Sequence, residues 1–261
     1  MAAVAEAEAM DVAEPVAEGA EYPCKKFFRS RAHCNPLSHN DAFDYPKSPA
    51  AVNWAEYYPL KPGMAVQNLD VGCGYGGLSM ALAALAKDEL TLALEIRPKV
   101  CEFVRRRIEA LRVSHKGQYD NVSCMRTNSM LYLPNIVNKG QLKRLFFCFP
   151  DPHFKAKNWR RRVVSTALLA EYAYALQDDG LVYTVTDVKE LHDWHVAKCS
   201  VHPLFEAVDS TEENDPFVKA IVNETEEGMK VARNKGAKYF AVYRKKRPEE
   251  ISPVKLWPEK A

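Results

Sequence analysis

The chain has 261 residues, 47% of them apolar, with 36 basic against 34 acidic side chains, enough to bury one substantial core. No apolar run approaches the ~18 residues a spanning helix needs. Seven cysteines with no CxxC pair and no zinc-ligand spacing argue against a disulfide framework or a structural zinc site, and reduced thiols are the simplest account.

In chain order, residues 1–24 come first. They carry six acids (Glu6, Glu8, Asp11, Glu14, Glu18, Glu21) and no Lys or Arg, a composition that predicts a disordered acidic tail. It lacks the apolar stretch of a signal peptide and has the wrong charge for a mitochondrial presequence. Without those six acids, 36 basic residues face 28 acidic ones, so the body stands near +8 and suits a polyanionic partner. Residues 25–247 read as one domain and 248–261 as a C-terminal tail.

From Val66 onward, β-rich runs alternate with helical patterns, the signature of a parallel sheet flanked by helices. Strands are predicted at 66–71, 90–96, 121–127, 143–149, 181–186 and 238–245, and helices at 77–86, 98–113, 161–176 and 187–199. The helix at 98–113 has Val100, Phe103, Val104, Ile108 and Leu111 at helical spacing, and Leu168, Tyr172 and Tyr174 read as core in the helix at 161–176. The polar stretch 209–235 shows no assignable pattern.

The run Leu69-Asp70-Val71-Gly72-Cys73-Gly74-Tyr75-Gly76-Gly77 joins the first strand to the first of these helices. Such glycines permit positive φ and close backbone approach to a ligand. Gly72, Gly74 and Gly77 also satisfy GxGxxG, so a dinucleotide reading stands beside an S-adenosylmethionine reading. Asp70 favours the latter: a carboxylate two residues before the first glycine suits a cationic amino group and repels a pyrophosphate. Glu95 closes the second strand, where it can accept from ribose hydroxyls, and Asn128 follows the third, where its amide can meet an adenine edge. No Tyr-x-x-x-Lys pair supports hydride chemistry.

After the fourth strand comes Phe149-Pro150-Asp151-Pro152-His153-Phe154-Lys155. Two prolines stiffen this loop and hold Asp151 at the sheet's carboxyl edge. Lys155, Lys157, Arg160, Arg161 and Arg162 cluster beside it, with His153 and Trp159 for stacking, as a nucleic-acid surface would require. Arg105, Arg106 and Arg107 read instead as a solvated helix face, and His192, Asp193 and His195 as helix-surface residues rather than metal ligands.

LDVGCGYGG, LEIR, NSM, FCFPDPHFK, LLAEYAYAL and TDVKELHDW together resemble the tRNA (guanine-N7) methyltransferase family, in particular its eukaryotic catalytic subunits, over about residues 27–243. The resemblance implies a Rossmann-like class I methyltransferase: an α/β domain with a mostly parallel seven-stranded sheet and helices on both faces. It implies S-adenosylmethionine as cofactor, held by Gly72, Gly74, Glu95, Arg97, Asn128, Ser129, the backbone at Cys148, Thr225 and Glu227, with Asp151 as the catalytic carboxylate. Many relatives have Ala where Ser129 stands, and some have Ser at Cys34. The family's Arg-x-Arg-x-His-x-Asn-Pro stretch is matched by Arg29, Arg31, His33, Asn35 and Pro36, which places Arg29, Arg31 and His33 among the tRNA contacts. A WD-repeat β-propeller as non-catalytic partner and residence in the nucleus are implied too; the basic run Arg244-Lys245-Lys246-Arg247 resembles a nuclear signal. An NAD(P)-dependent oxidoreductase and a non-catalytic RNA-binding scaffold are the competing readings.

Overall fold

The computed structural model describes residues 21–31, 34–38 and 43–251, so His33, most of the acidic tail and most of the C-terminal tail lie outside the described residues. Seven strands form one sheet: β1 (Val66–Val71), β2 (Leu90–Glu95), β3 (Val122–Arg126), β4 (Leu142–Cys148), β5 (Leu176–Thr186), β6 (Phe205–Val208) and β7 (Tyr239–Lys245). Their spatial order is β3-β2-β1-β4-β5-β7-β6. β1 pairs in parallel with both β2 and β4, and β7 runs antiparallel to β5 and β6. The chain therefore winds outward from β1 to β3, returns to β4 and winds the other way. That reversal opens a crevice at the carboxyl ends of β1 and β4, the usual ligand site of such sheets.

Among the described residues eight α-helices accompany the sheet: α1 (Trp54–Tyr57), α2 (Gly77–Leu85), α3 (Pro98–Ser114), α4 (Ser129–Ile136), α5 (Thr166–Ala175), α6 (Lys189–Ser200), α7 (Pro216–Asn223) and α8 (Glu226–Arg233). Successive strand residues point to opposite faces, so β4 serves two cores. Leu145 and Phe147 pack with α4 and α5 through Leu133, Ile136, Leu169 and Tyr172. Phe146 packs the other way, with Leu78 and Leu82 of α2 and Ile221 of α7. Ala93 on that second face meets Phe103 and Val104 of α3. β2, LTLALE, is buried at every position because helices cover both of its faces, and it is apolar at four of its six residues.

Four expectations shift. The helix predicted at 161–176 begins only at Thr166, because the Ser165 side chain accepts from the Leu168 N–H and caps it there. Residues Ala156–Arg161 instead form a short 3-10 turn. Tyr172 is fully buried with its hydroxyl on the Val163 carbonyl, but Tyr174 points outward and is 49% exposed, since α5 buries one stripe only. The unassigned stretch 209–235 holds α7 and α8; Asp215 caps α7 by accepting from the Phe217 and Val218 N–H groups. α4 escaped notice because Pro134 interrupts its pattern, and β6 because four residues are too few for a period to register.

Candidate active site

The crevice is a cleft of about 200 Å³. Gly72 lines it from β1, Glu95 and Arg97 from β2, Asn128 and Ser129 from β3, and Phe149, Pro150, Asp151 and His153 from β4. Arg161 and Val163 close one side, and Cys34 and Pro36 of the N-terminal segment close another. Residues as far apart in sequence as Gly72 and His153 thus meet because each follows a strand of the same parallel sheet.

The glycine loop owes its shape to Gly72, Gly74 and Gly76, whose φ values are +77°, +56° and +84°, a region costly to any residue bearing a Cβ. The Gly72 and Cys73 N–H groups donate to the Leu94 carbonyl at 2.8 and 3.1 Å, tying the loop to β2. Gly77 is constrained differently: a Cβ there would sit 2.4 Å from the Glu224 carbonyl oxygen. Its glycine lets the α7–α8 junction approach α2, a tertiary demand that GxGxxG does not reveal.

Asp70 lies behind this loop, 1% exposed, and accepts from the Ser79 hydroxyl at 2.6 Å. Burial pushes its carboxyl up to about 7; the Ser79 hydrogen bond opposes this, and the charges of Glu226 and Glu95 add to it. It does not line the cleft, so in this structure it anchors α2 to β1. Glu95 is buried and holds Arg97: the Arg97 backbone N–H and Nε donate to Oε1 at 2.9 and 3.0 Å, and Nη2 donates to Oε2 at 2.8 Å. Oε2, which takes only one of these three bonds, keeps acceptor capacity. Asn128 caps α4 by accepting from the Met130 N–H at 3.1 Å, while its Nδ2 donates to the Pro36 carbonyl. One amide thereby fastens the N-terminal segment over the cleft.

In the loop after β4, Phe149 and His153 have φ of +49° and +45° and bracket Pro150-Asp151-Pro152. Strained non-glycine backbone on both flanks of a polar residue marks a site held in place by its surroundings. Part of that hold is the Phe149 N–H, which donates to the Val185 carbonyl at 2.8 Å. Asp151 is partly open, its side chain 27% exposed, and its Oδ2 lies 3.9 Å from His153 Nδ1. Arg161 presents a buried Nε without a hydrogen-bond partner among the described residues. Cys148, the last residue of β4, is not among the residues lining the cleft, and burial, with the Asp70 charge, pushes its thiol well up.

Other expected residues fall elsewhere. Thr225 caps α8 by accepting from the Gly228 N–H at 2.9 Å, and Glu227 is largely exposed, pairing with Lys230 at 3.2 Å. Neither lines the cleft, because α8 turns these neighbours onto different faces. Glu226, which sequence reasoning passed over, accepts from the Gly77 N–H and from Arg107 Nη1, both at 3.2 Å. Arg107 Nη1 also donates to the Tyr75 carbonyl at 2.9 Å, so it braces the glycine loop and is not part of a solvated helix face. Arg29, Arg31, Lys155, Lys157 and Arg160 are exposed as a phosphate-binding set requires. Arg162 is not: it is 1% exposed and ion-paired with Glu190, which removes it from that set. His195 is likewise buried rather than superficial, and burial, with the charges of His192 and Arg162, pushes it down to about 3. Among the described residues no group of three or more potential ligands could hold a metal, and no helix is long and apolar enough to cross a membrane.

The sheet order, with a cleft at the β1/β4 switch, defines a Rossmann-like class I methyltransferase fold. Residues 64–241 match the family described as "Putative methyltransferase". A tRNA (guanine-N(7)-)-methyltransferase of Bombyx mori is 50% identical over 227 residues, covering 85% of this chain and 95% of that protein. Its namesake from Arabidopsis thaliana is 50% identical over 231 residues, covering 85% and 92%, and that from Xenopus laevis 48% over 244 residues, covering 85% and 89%. The chain belongs to the tRNA (guanine-N7) methyltransferase family.

Proposed function

We propose that this chain methylates N7 of a guanine in tRNA, using S-adenosylmethionine. The observation that carries the reading is Asp151, a carboxylate clamped between two strained residues at the mouth of a cleft floored by the glycine loop. When bound, the cofactor would supply an electrophilic methyl group to the in-plane lone pair of guanine N7.

The residues present suit that cofactor. Gly72 offers backbone that a ligand can approach, and Glu95 offers acceptor oxygens for ribose hydroxyls. Arg97, Asn128 and Ser129 border the same space. Guanine N7 carries no proton, so the enzyme needs no general base; it needs alignment and an offset for the positive charge that develops on the ring. Asp151 can supply both by accepting from guanine N1–H and the exocyclic amine. Exposed Arg29, Arg31, Lys155, Lys157 and Arg160 hold phosphates, while Trp159, 38% exposed, offers a stacking face. Membership of the methyltransferase family and the lack of a hydride-handling pair disfavour the oxidoreductase reading.

A WD-repeat β-propeller partner is proposed from the resemblance to eukaryotic catalytic subunits, and co-purification with a propeller subunit tests it. Nuclear residence is proposed on the same basis. The basic run offers it little, since Arg244 pairs with Asp179, Glu206 and Glu250, and Arg247 with Asp179; imaging of the tagged chain decides. The activity is tested by incubating the chain, with and without the propeller subunit, with labelled cofactor and total tRNA, then mapping guanines that become labile to cleavage. Asp151→Asn should cut single-turnover rate far more than cofactor affinity; equal losses in both would remove Asp151 from the proposed role.

A further inference from the structure

Among the described residues Arg162 is the largest side chain buried almost completely, at 1% exposure. A guanidinium does not shed its proton, so its burial must be answered by partners in fixed geometry. The partners here are specific. Nε donates to the Pro152 carbonyl at 2.9 Å, and Nη2 donates to Glu190 Oε1 on α6 at 2.7 Å. The guanidinium carbon stands 5.1 Å from the Trp159 ring and 4.6 Å from that of Trp194. Trp194 is itself fixed, its Nε1 donating to the Val164 carbonyl at 2.7 Å.

The Pro152 carbonyl lies in the peptide that joins the residue after Asp151 to His153, whose φ is +45°. A turn of that kind relaxes unless something outside it holds the peptide plane. Arg162 grips that plane from behind while α6 and two indoles hold Arg162. We propose that Arg162 is a positioning residue that fixes the orientation of Asp151 through the Pro152 carbonyl, with Glu190 as its counter-anchor. This rests on the reading of Asp151 as the carboxylate that meets the guanine.

The test uses the full chain, with its propeller subunit if activity requires one, in the variants R162K, R162Q, E190Q, D151N and R162Q/D151N. Lysine keeps the charge and any phosphate contact but lacks Nε and the planar fork. Three readouts are taken: single-turnover methylation at saturating tRNA and cofactor, cofactor Kd, and the salt slope of tRNA binding. R162Q and R162K are expected to slow methylation about 10- to 100-fold, the scale of a misplacement near 1 Å. Cofactor Kd should stay within about twofold and the salt slope should be unchanged. E190Q, altered at a half-exposed carboxylate that folding tolerates, should slow methylation in the same direction by a smaller factor. If Arg162 acts through Asp151, R162Q should add little to D151N. A phosphate-binding Arg162 gives the opposite pattern: R162K rescues, R162Q flattens the salt slope, and E190Q strengthens tRNA binding. That pattern, or fully multiplicative losses in the double variant, overturns the assignment. A normal rate in D151N alone overturns the reading of Asp151 itself, whereas a slow D151N beside a normal R162Q overturns only the role given to Arg162.

Discussion

Asp70→Asn should make the protein more stable at pH 8 than the natural chain, and the gain should shrink as the solution is acidified. The Asp70 carboxyl is 1% exposed with the Ser79 hydroxyl as its hydrogen-bonding partner; burial raises it from 3.8 to about 7. Between these values the folded state keeps a proton that the unfolded state releases, so stability falls as pH rises and is lowest above about pH 7. At 1.36 kcal/mol for each pH unit, the whole penalty is about 4 kcal/mol, of which roughly two-thirds develops between pH 5 and pH 8. Asparagine does not titrate, and its side-chain oxygen can still accept from Ser79. In a domain of this size 1 kcal/mol moves Tm by ~2–4 °C. The melting-temperature difference between variant and natural chain should therefore grow by about 8 °C from pH 5 to pH 8, measured by scanning calorimetry without cofactor. A difference that stays flat across that range, or a variant that melts earlier at pH 8, would show that the buried carboxyl is not the cost inferred here.

Gly77→Ala places a methyl 2.4 Å from the Glu224 carbonyl and should lower stability by ~1–3 kcal/mol through overpacking; thermal melting checks it, and an unchanged Tm contradicts the close approach. Arg107→Ala removes the bonds to the Tyr75 carbonyl and to Glu226 and should raise the cofactor KM severalfold while leaving kcat near normal, as initial rates will tell. Phe147→Ala empties a wholly buried site beside Tyr172 and should cost ~3–5 kcal/mol by denaturant unfolding. tRNA affinity should fall steeply with salt, and a Lys155→Ala/Lys157→Ala double variant should reduce the log–log slope by about 1.5; a slope that does not change removes both lysines from the phosphate contacts.

Much of the fold was legible because its signals are local. Strands buried on both faces are rich in apolar residues, as β2 is at Leu90, Leu92, Ala93 and Leu94, and the helix over Pro98–Ser114 repeats its apolar residues at helical spacing. The glycine loop and the Pro-Asp-Pro segment announced themselves because positive φ and stiffened turns restrict residue choice over a few consecutive positions. Strand-end positions could then be assigned to one crevice, since ligands gather at the carboxyl edge of a parallel sheet. That logic brought Gly72, Glu95, Asn128 and Asp151 together, the resemblance added Arg97 and Ser129, and all six line the cleft.

What a side chain does once the chain has closed on itself was beyond the reach of any local pattern. Arg162 and Arg161 are adjacent and chemically identical, yet one is locked between two indoles and a carboxylate while the other faces the cleft. Glu226 and Glu227 are equally adjacent, yet only Glu226 reaches the glycine loop. Gly77 answers to a carbonyl 147 positions away, and Asp70 to the loss of water around it. Composition and periodicity determine which segments become strands and helices, because those depend on neighbours along the chain. Burial, partner and protonation depend on neighbours in space, and for this protein only the packed sheet and helices decided them.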